Sequence, residues 1–325
     1  MANVGSIDLY GGDPVGVPLN MTVDEAGRFW WADVGTKALG SFDPSAEDPA
    51  AATLRLTRLP DGSMPIQPRS GAGGTIWFTD AGRRGFGRID AGHPDPASTL
   101  AFFTTPQMPP PLGLSPLGPD GRFWFTSREA GILGSFDPAA ENPAAEAAIV
   151  DSPELRGLTG VYPGPDDHMW IANVGADSIA RIDPLAADPA STLEVHPAPP
   201  GGIHPRAWRP GPDGAMWFSH RDPDRLVRID LGASDWTQAI ETVCGPESVS
   251  APDGLCGGPD GRLWFCNAGT SAIGRLDAGA PDPAATLEFF TAPGLDTPYD
   301  LQDVGDFMAF TDKGGHVGRI RAREG

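Results

Sequence analysis

GPDGRLWFCN, residues 258–267, is a turn followed by an aromatic segment, and the pattern recurs along the chain. Pro-Asp starts the turn and Gly supplies the positive φ that completes it. The segment after it is apolar, aromatic and of strand length. Aligned on the Trp, the copies read RFWWAD, TIWFTD, RFWFTS, HMWIAN, AMWFSH and RLWFCN, and Trp30, Trp77, Trp124, Trp170, Trp217 and Trp264 fall 46 or 47 residues apart. A seventh copy, FMAFTD, has Ala309 in the Trp position, 45 residues after Trp264. Seven units fill the 325 residues and leave no linker, so one domain spanning 1–325 is expected.

Each unit carries four short segments, named a to d. Segment a is apolar and leads into the turn; segment b holds the Trp. Segment c is of Gly-Arg-Ile-Asp type: GRID 87–90, ARID 180–183, VRID 227–230 and GRLD 274–277. Segment d follows an acidic Asp-Pro-rich loop and alternates, as in TLRLTRL, TLAFFTT, STLEVHP and ATLEFFT. Four strands per unit at this period form a propeller blade. Helical solenoids have similar periods, but 43 Gly and 36 Pro would break their helices. The expected fold is all-β: a seven-bladed β-propeller with four-stranded antiparallel blades. The chain ends on HVGRIRAREG, segment c of the seventh unit, with no segment d behind it. SIDLY at 6–10 resembles the other d segments, so the N-terminal strand is expected to close the last blade.

Bulk composition narrows the partners. Net charge is −20, with 23 Lys and Arg against 43 Asp and Glu, which excludes the basic surface a nucleic acid requires. Nine Trp and fifteen Phe exclude a disordered chain. The three Cys (Cys244, Cys256, Cys266) have no framework spacing and are expected as free core thiols. The N-terminus lacks a basic and an apolar leader region, and no apolar run approaches membrane length, so a cytoplasmic monomer without a membrane partner is expected. There is no GxGxxG opening a helix, P-loop, HExxH or G-x-S-x-G elbow, so no organic cofactor is expected. A small-molecule ligand is the expected partner.

Propeller geometry puts the start of strand a and the end of strand b on one rim. The strand-a positions read Leu19, Ile66, Leu112, Thr159, Arg206, Asp253 and Tyr299; the strand-b positions read Asp33, Asp80, Ser127, Asn173, His220, Asn267 and Asp312. The first set is apolar in units 1–3 and polar in units 4–7, the pattern of an apolar wall with a few convergent polar groups. Arg206, His220 and Asp253 are the candidate catalytic residues: Arg offers a rigid fork to a carbonyl or oxyanion, and a His beside an Asp can act as a general acid or base. Tyr299, Asn267, Asn173, Thr159 and His204 are candidate substrate contacts, and Glu247 lies in the loop leading into unit 6. Asp253 and Asn267 are candidate ligands for Mg²⁺ or Ca²⁺, a thin set for a cation that needs several oxygens. Asp33, Asp80 and Asp312 are expected to tie down loop backbone. Asp260 reads as a turn residue alone, where Asn or Ser is expected to be nearly neutral.

The repeated GPDG-x-x-WF and the GRID segment after it resemble the virginiamycin B lyase (streptogramin lyase) family of seven-bladed propellers, over essentially the whole chain. The resemblance implies opening of a macrocyclic ester by elimination, with a Mg²⁺-assisted His base. It implies a His at the start of strand a in two neighbouring blades, a Glu closing strand b in the second, and an acidic residue just before the second His. Those positions hold Arg206, Asp253, Asn267 and Ala251, leaving His220 as a relocated base. PDGLC at 252–256 also resembles the metal-Asp strand of the SMP-30/gluconolactonase/LRE propellers, which implies Asp253 as a metal ligand; the Asn implied one blade earlier is Arg206. The expected function is a lyase-like enzyme acting on a cyclic ester or related small molecule, streptogramins not being expected substrates given these departures. The alternatives are a metal-dependent lactone hydrolase and a non-catalytic propeller that binds a ligand or partner.

Overall fold

In the computed structural model, residues 3–11, 14–48, 53–197, 205–233 and 235–324 are described. Among them the strands form seven four-stranded sheets, each antiparallel, making the seven-bladed β-propeller that the repeat implies. The chain clusters into two compact units. Residues 60–205 carry blades 2, 3 and 4, and residues 1–59 with 206–325 carry blades 1, 5, 6 and 7. Pro205, the first residue of blade 5, falls at the boundary.

Blade 5 comprises Pro205–Pro210, Met216–His220, Arg225–Ile229 and Ile240–Cys244. Blade 6 comprises Pro252–Gly257, Leu263–Asn267, Ala272–Leu276 and Glu288–Phe290. Blade 7 comprises Pro298–Asp303, Phe307–Asp312 and His316–Arg321, and Ile7–Gly11 closes it by pairing antiparallel with His316–Arg321.

The repeated Trp is fully buried in every blade that has it. Its indole N–H needs an acceptor in that setting. Asp24, Asp120, Asp166, Asp213 and Asp260 accept from Trp30, Trp124, Trp170, Trp217 and Trp264 at 2.9, 3.2, 2.9, 2.9 and 2.8 Å. In blades 4, 5 and 6 an Arg on strand c completes the bracket, while blades 1 and 3 have Ser41 and Ser135 opposite the Trp. In blade 6, Arg275 lies over the Trp264 ring at 5.2 Å and pairs with Asp260 at 3.0 Å and with Glu288 at 2.9 Å. This corrects the expectation for Asp260. The residue turns the chain, but it also holds the indole and the guanidinium; Ser is too short to reach them, and the Asn amide would turn donors toward Arg275.

The Gly of the GRID segment has a packing cause. A Cβ at Gly274 would fall 2.3 Å from the Phe265 ring on strand b. In blade 4 Ile171 faces Ala180 in that register, and in blade 5 Phe218 faces Val227, so the aromatic does not impose Gly in every blade. Ala309, the small residue at the seventh Trp position, shares a buried cluster with Trp31, the extra Trp of blade 1. The bulk missing from one blade is supplied by the next, as close packing requires. All three Cys are free and buried, and burial pushes the Cys244 and Cys256 thiols up to about 12. Among the described residues no helix is long and apolar enough to cross a membrane.

Candidate functional site

The last residue of strand b performs one job in most blades. It accepts from backbone N–H groups in the loop that enters strand a. Asp33 accepts from Gly16 and Val17, Asp80 from Met64, and Asp312 from Asp296 and Thr297. Asn173 and Asn267 do the same for Arg156 and Ser250, at 2.7 and 2.8 Å. Their amide nitrogens are engaged as well: Asn173 donates to Glu154 O and Ser178 Oγ, and Asn267 donates to Thr270 Oγ1. These side chains satisfy loop backbone, as Asx groups commonly do.

Blade 5 differs. His220 is fully buried, and its Nδ1 lies 2.8 Å from Pro223 O. Its Nε2 is 3.3 Å from Arg225 Nη2. A neutral imidazole protonated at Nδ1 satisfies these two contacts, and Arg225 Nε also lies 3.4 Å from Nδ1.

Asp253 is the centre of a different arrangement. It is the second residue of its strand, 3% exposed, one position beyond the Pro252–Asn267 pair. Gly254 allows the strand to lie where it does: a Cβ there would be 2.5 Å from Asp300 Cα and 2.8 Å from Tyr299 O. Blade 6 thereby presses its Asp against strand a of blade 7. Asp253 Oδ1 accepts from Arg206 Nε at 3.3 Å, and Oδ2 accepts from Arg221 Nη2 at 2.7 Å. Arg221 Nη2 also donates to Ala251 O at 3.3 Å. Lys313 Nζ sits 3.6 Å from the centroid of the Tyr299 ring, a cation–π contact.

The electrostatics follow from this packing. Burial pushes the Asp253 carboxyl up, against the downward pull of Arg206, Arg221 and Lys313. Burial pushes the Tyr299 phenol up to about 12, and the Asp253 charge adds to it. Burial lowers the Lys313 ammonium; Asp253 opposes that shift, and Arg206 and Arg221 add to it. Burial also works against the Arg206 charge, but Asp253 and Tyr299 outweigh it and raise its pKa.

Three cations thus converge on one carboxylate. Most of their donors remain unused among the described residues. Arg206 engages only Nε, Lys313 Nζ makes no hydrogen bond, and the Arg221 Nε–H is buried without an acceptor. Arg206 and Arg221 keep side-chain exposures of 38% and 34%, so the cluster is open to solvent.

The residues singled out from sequence therefore separate. Arg206, Asp253 and Tyr299 come together. His220 and Asn267 are on the same blades but engaged with their own loops, and Glu247 is exposed. Thr159 and Asn173 belong to the unit of residues 60–205; Thr159 Oγ1 is buried without a partner among the described residues. His204 lies outside the described residues. Arg221 and Lys313 were missed. Each is the residue after the end of strand b, where the seven units read Val34, Ala81, Arg128, Val174, Arg221, Ala268 and Lys313. Reading the repeat one residue further would have shown cations in blades 5 and 7, either side of Asp253.

The donor set does not fit the Mg²⁺ or Ca²⁺ that the resemblance implies. Both Asp253 oxygens contact guanidinium groups, and the Asn267 carbonyl oxygen is taken by Ser250 N–H. A divalent cation there would face Arg206, Arg221 and Lys313 with too few free oxygens.

Comparison with known proteins agrees with the fold. The model of the virginiamycin B lyase family matches residues 117–324. Among solved structures, a catalytically inactive variant of virginiamycin B lyase from Staphylococcus aureus, crystallised with quinupristin, superposes with a TM-score of 0.79 at 18% identity, covering 97% of this chain and 99% of that one. A streptogramin B lyase gives 0.77 at 20% identity, covering 99% and 100%. Hydrazine synthase from Kuenenia stuttgartiensis gives 0.68 at 13% identity, covering 95% and 96%. At these identities the likeness shows the fold alone. A search of curated proteins returned no match. With the family model spanning well over half of its residues, this chain belongs to the virginiamycin B lyase family.

Proposed function

We propose that the chain is a lyase-like enzyme that takes a cyclic ester or related small molecule at the Asp253 cluster. The observation that carries this reading is the set of unused donors on Arg206, Arg221 and Lys313 around one buried carboxylate. Breaking an ester C–O bond by elimination moves the proton of the adjacent carbon to a base, for which Asp253 and His220 are the candidates, forms the C=C bond and builds negative charge on the departing carboxylate. Donors already aimed at that charge stabilise it without reorganisation. Arg206 and Arg221 would polarise the ester, and Asp253 would hold both guanidinium groups in place.

A second reading is a non-catalytic ligand-binding propeller. It is favoured by the state of the two candidate bases, since both Asp253 oxygens and both His220 ring nitrogens already have partners. Mass spectrometry on a panel of macrocyclic and small cyclic esters separates the readings. Ring opening by elimination leaves the mass unchanged, and loss of that product in Arg206→Ala supports the first reading. Binding without conversion supports the second. A product heavier by one water, formed only with added Mg²⁺ or Ca²⁺, would contradict both in favour of a lactone hydrolase.

A further inference from the structure

We propose that the ligand of this cluster is an anion with at least one free carboxylate, held by Arg206, Arg221 and Lys313. The inference rests on the cluster being the functional site and names the chemistry of its ligand.

The argument is a comparison of charge partners. In the brackets of blades 4, 5 and 6 each strand-c Arg has two carboxylates; in blade 2 Arg88 instead lies over the Trp77 and Phe103 rings. Arg181 meets Asp166 and Glu194, Arg228 meets Asp213 and Glu241, and Arg275 meets Asp260 and Glu288. Around Asp253 the ratio is reversed, with three cations to one carboxylate. Such a surplus is not a by-product of composition in a chain of net charge −20 with two lysines, Lys37 and Lys313. The overall charge repels anions at long range, so an anion would be held here by local contacts alone.

The geometry favours a carboxylate. The terminal nitrogens of Arg206 are free among the described residues and form a planar pair of donors, which matches a planar carboxylate in a bidentate contact. Arg206 and Arg221 share the single Asp253 carboxylate and Lys313 has no ion pair among the described residues, so partly desolvated positive charge is incompletely neutralised in the free protein. An incoming anion relieves that cost for all three at once. A neutral ligand would relieve less of it, and a cation would add to it.

The two lysines provide the test. Lys37 is exposed and serves as the internal reference for Lys313. The intact protein is acetylated with limiting acetic anhydride at constant pH and ionic strength, and the Lys313 to Lys37 ratio is read by peptide mass spectrometry. Succinate and citrate are expected to slow acetylation of Lys313 and leave Lys37 unchanged. Arg206→Gln and Arg221→Gln are each expected to raise the half-protecting concentration about tenfold. Where a variant fails to fold, the wild-type ratio alone decides. Protection of both lysines or of neither by the carboxylates overturns the inference, as does protection by inorganic phosphate alone. If a neutral cyclic ester protects Lys313 and no carboxylate does, the anion inference fails and the site reading stands. If nothing in the panel protects it, both fail.

Discussion

Asp253 and Asp260 lie seven residues apart, each at the centre of a Pro-Asp-Gly triplet, near opposite ends of one strand of blade 6. Asp260 has close copies. It accepts the Trp264 indole and pairs with Arg275, and Asp120, Asp166 and Asp213 accept their own Trp in the same way. Asp253 has no copy; the matching positions of the first four units are Leu19, Ile66, Leu112 and Thr159. Around Asp260 the Trp264 indole and both terminal nitrogens of Arg275 have acceptors and only the Arg275 Nε–H is left without one among the described residues, whereas the cations around Asp253 have most of their donors to spare. A repeat carries out the structural task in every unit. The position that departs from the repeat, and leaves polar groups unmet, is where the proposed ligand site lies.

Three substitutions probe this difference. Asp260→Ala removes the acceptor of a buried indole N–H and a partner of Arg275, and should cost about 2–3 kcal/mol in chemical denaturation while leaving Lys313 reactivity unchanged. Gly254→Ala drives a Cβ into the backbone of blade 7 and should cost about 1–3 kcal/mol. Because the colliding atoms belong to Tyr299 and Asp300, it should also disturb the Lys313 environment, so its two effects should appear together.

Lys313→Met should have the smallest effect on stability, with an unchanged or higher melting temperature at neutral pH. Its folded-state pKa is lowered by burial, so the charged form opposes folding; that cost is present below the folded value and fades as pH rises through it. The advantage of Lys313→Met should therefore shrink toward alkaline pH. The charged and titratable groups facing Lys313 are Asp253, Arg206, Arg221, Tyr299 and Cys266. A clear loss of stability at neutral pH would mean that Lys313 is a structural residue. Stability gained by removing a polar group is common where that group serves binding.

The fold was legible because a period of 45–47 residues aligns all seven units, six of them on a Trp, and the recurring features reflect local causes: indole burial, a positive φ, or an aromatic ring over a Gly. Arg206, Asp253 and Tyr299 were legible as breaks in that repeat. Arg221 and Lys313 each stand one residue beyond the end of strand b, outside the two rings of positions that the repeat aligns on the rim. His220 looked like a base because its position lies beside Asp253 in the repeat; its nitrogens instead meet Pro223 and Arg225, five residues or fewer away in sequence. The bracket role of Asp260 was hidden because a Pro-Asp-Gly turn already accounts for an Asp.

The most direct test pairs Asp253→Asn with Asp260→Asn, following melting temperature and the Lys313 to Lys37 acetylation ratio in each. Asp253 favours the charged form of Lys313, so Asp253→Asn should free more of the amine and raise the ratio. Asp260→Asn should lower the melting temperature and leave the ratio at its wild-type value. An unchanged ratio in Asp253→Asn, or a shifted ratio in Asp260→Asn, would contradict the division of the two triplets into a site and a bracket.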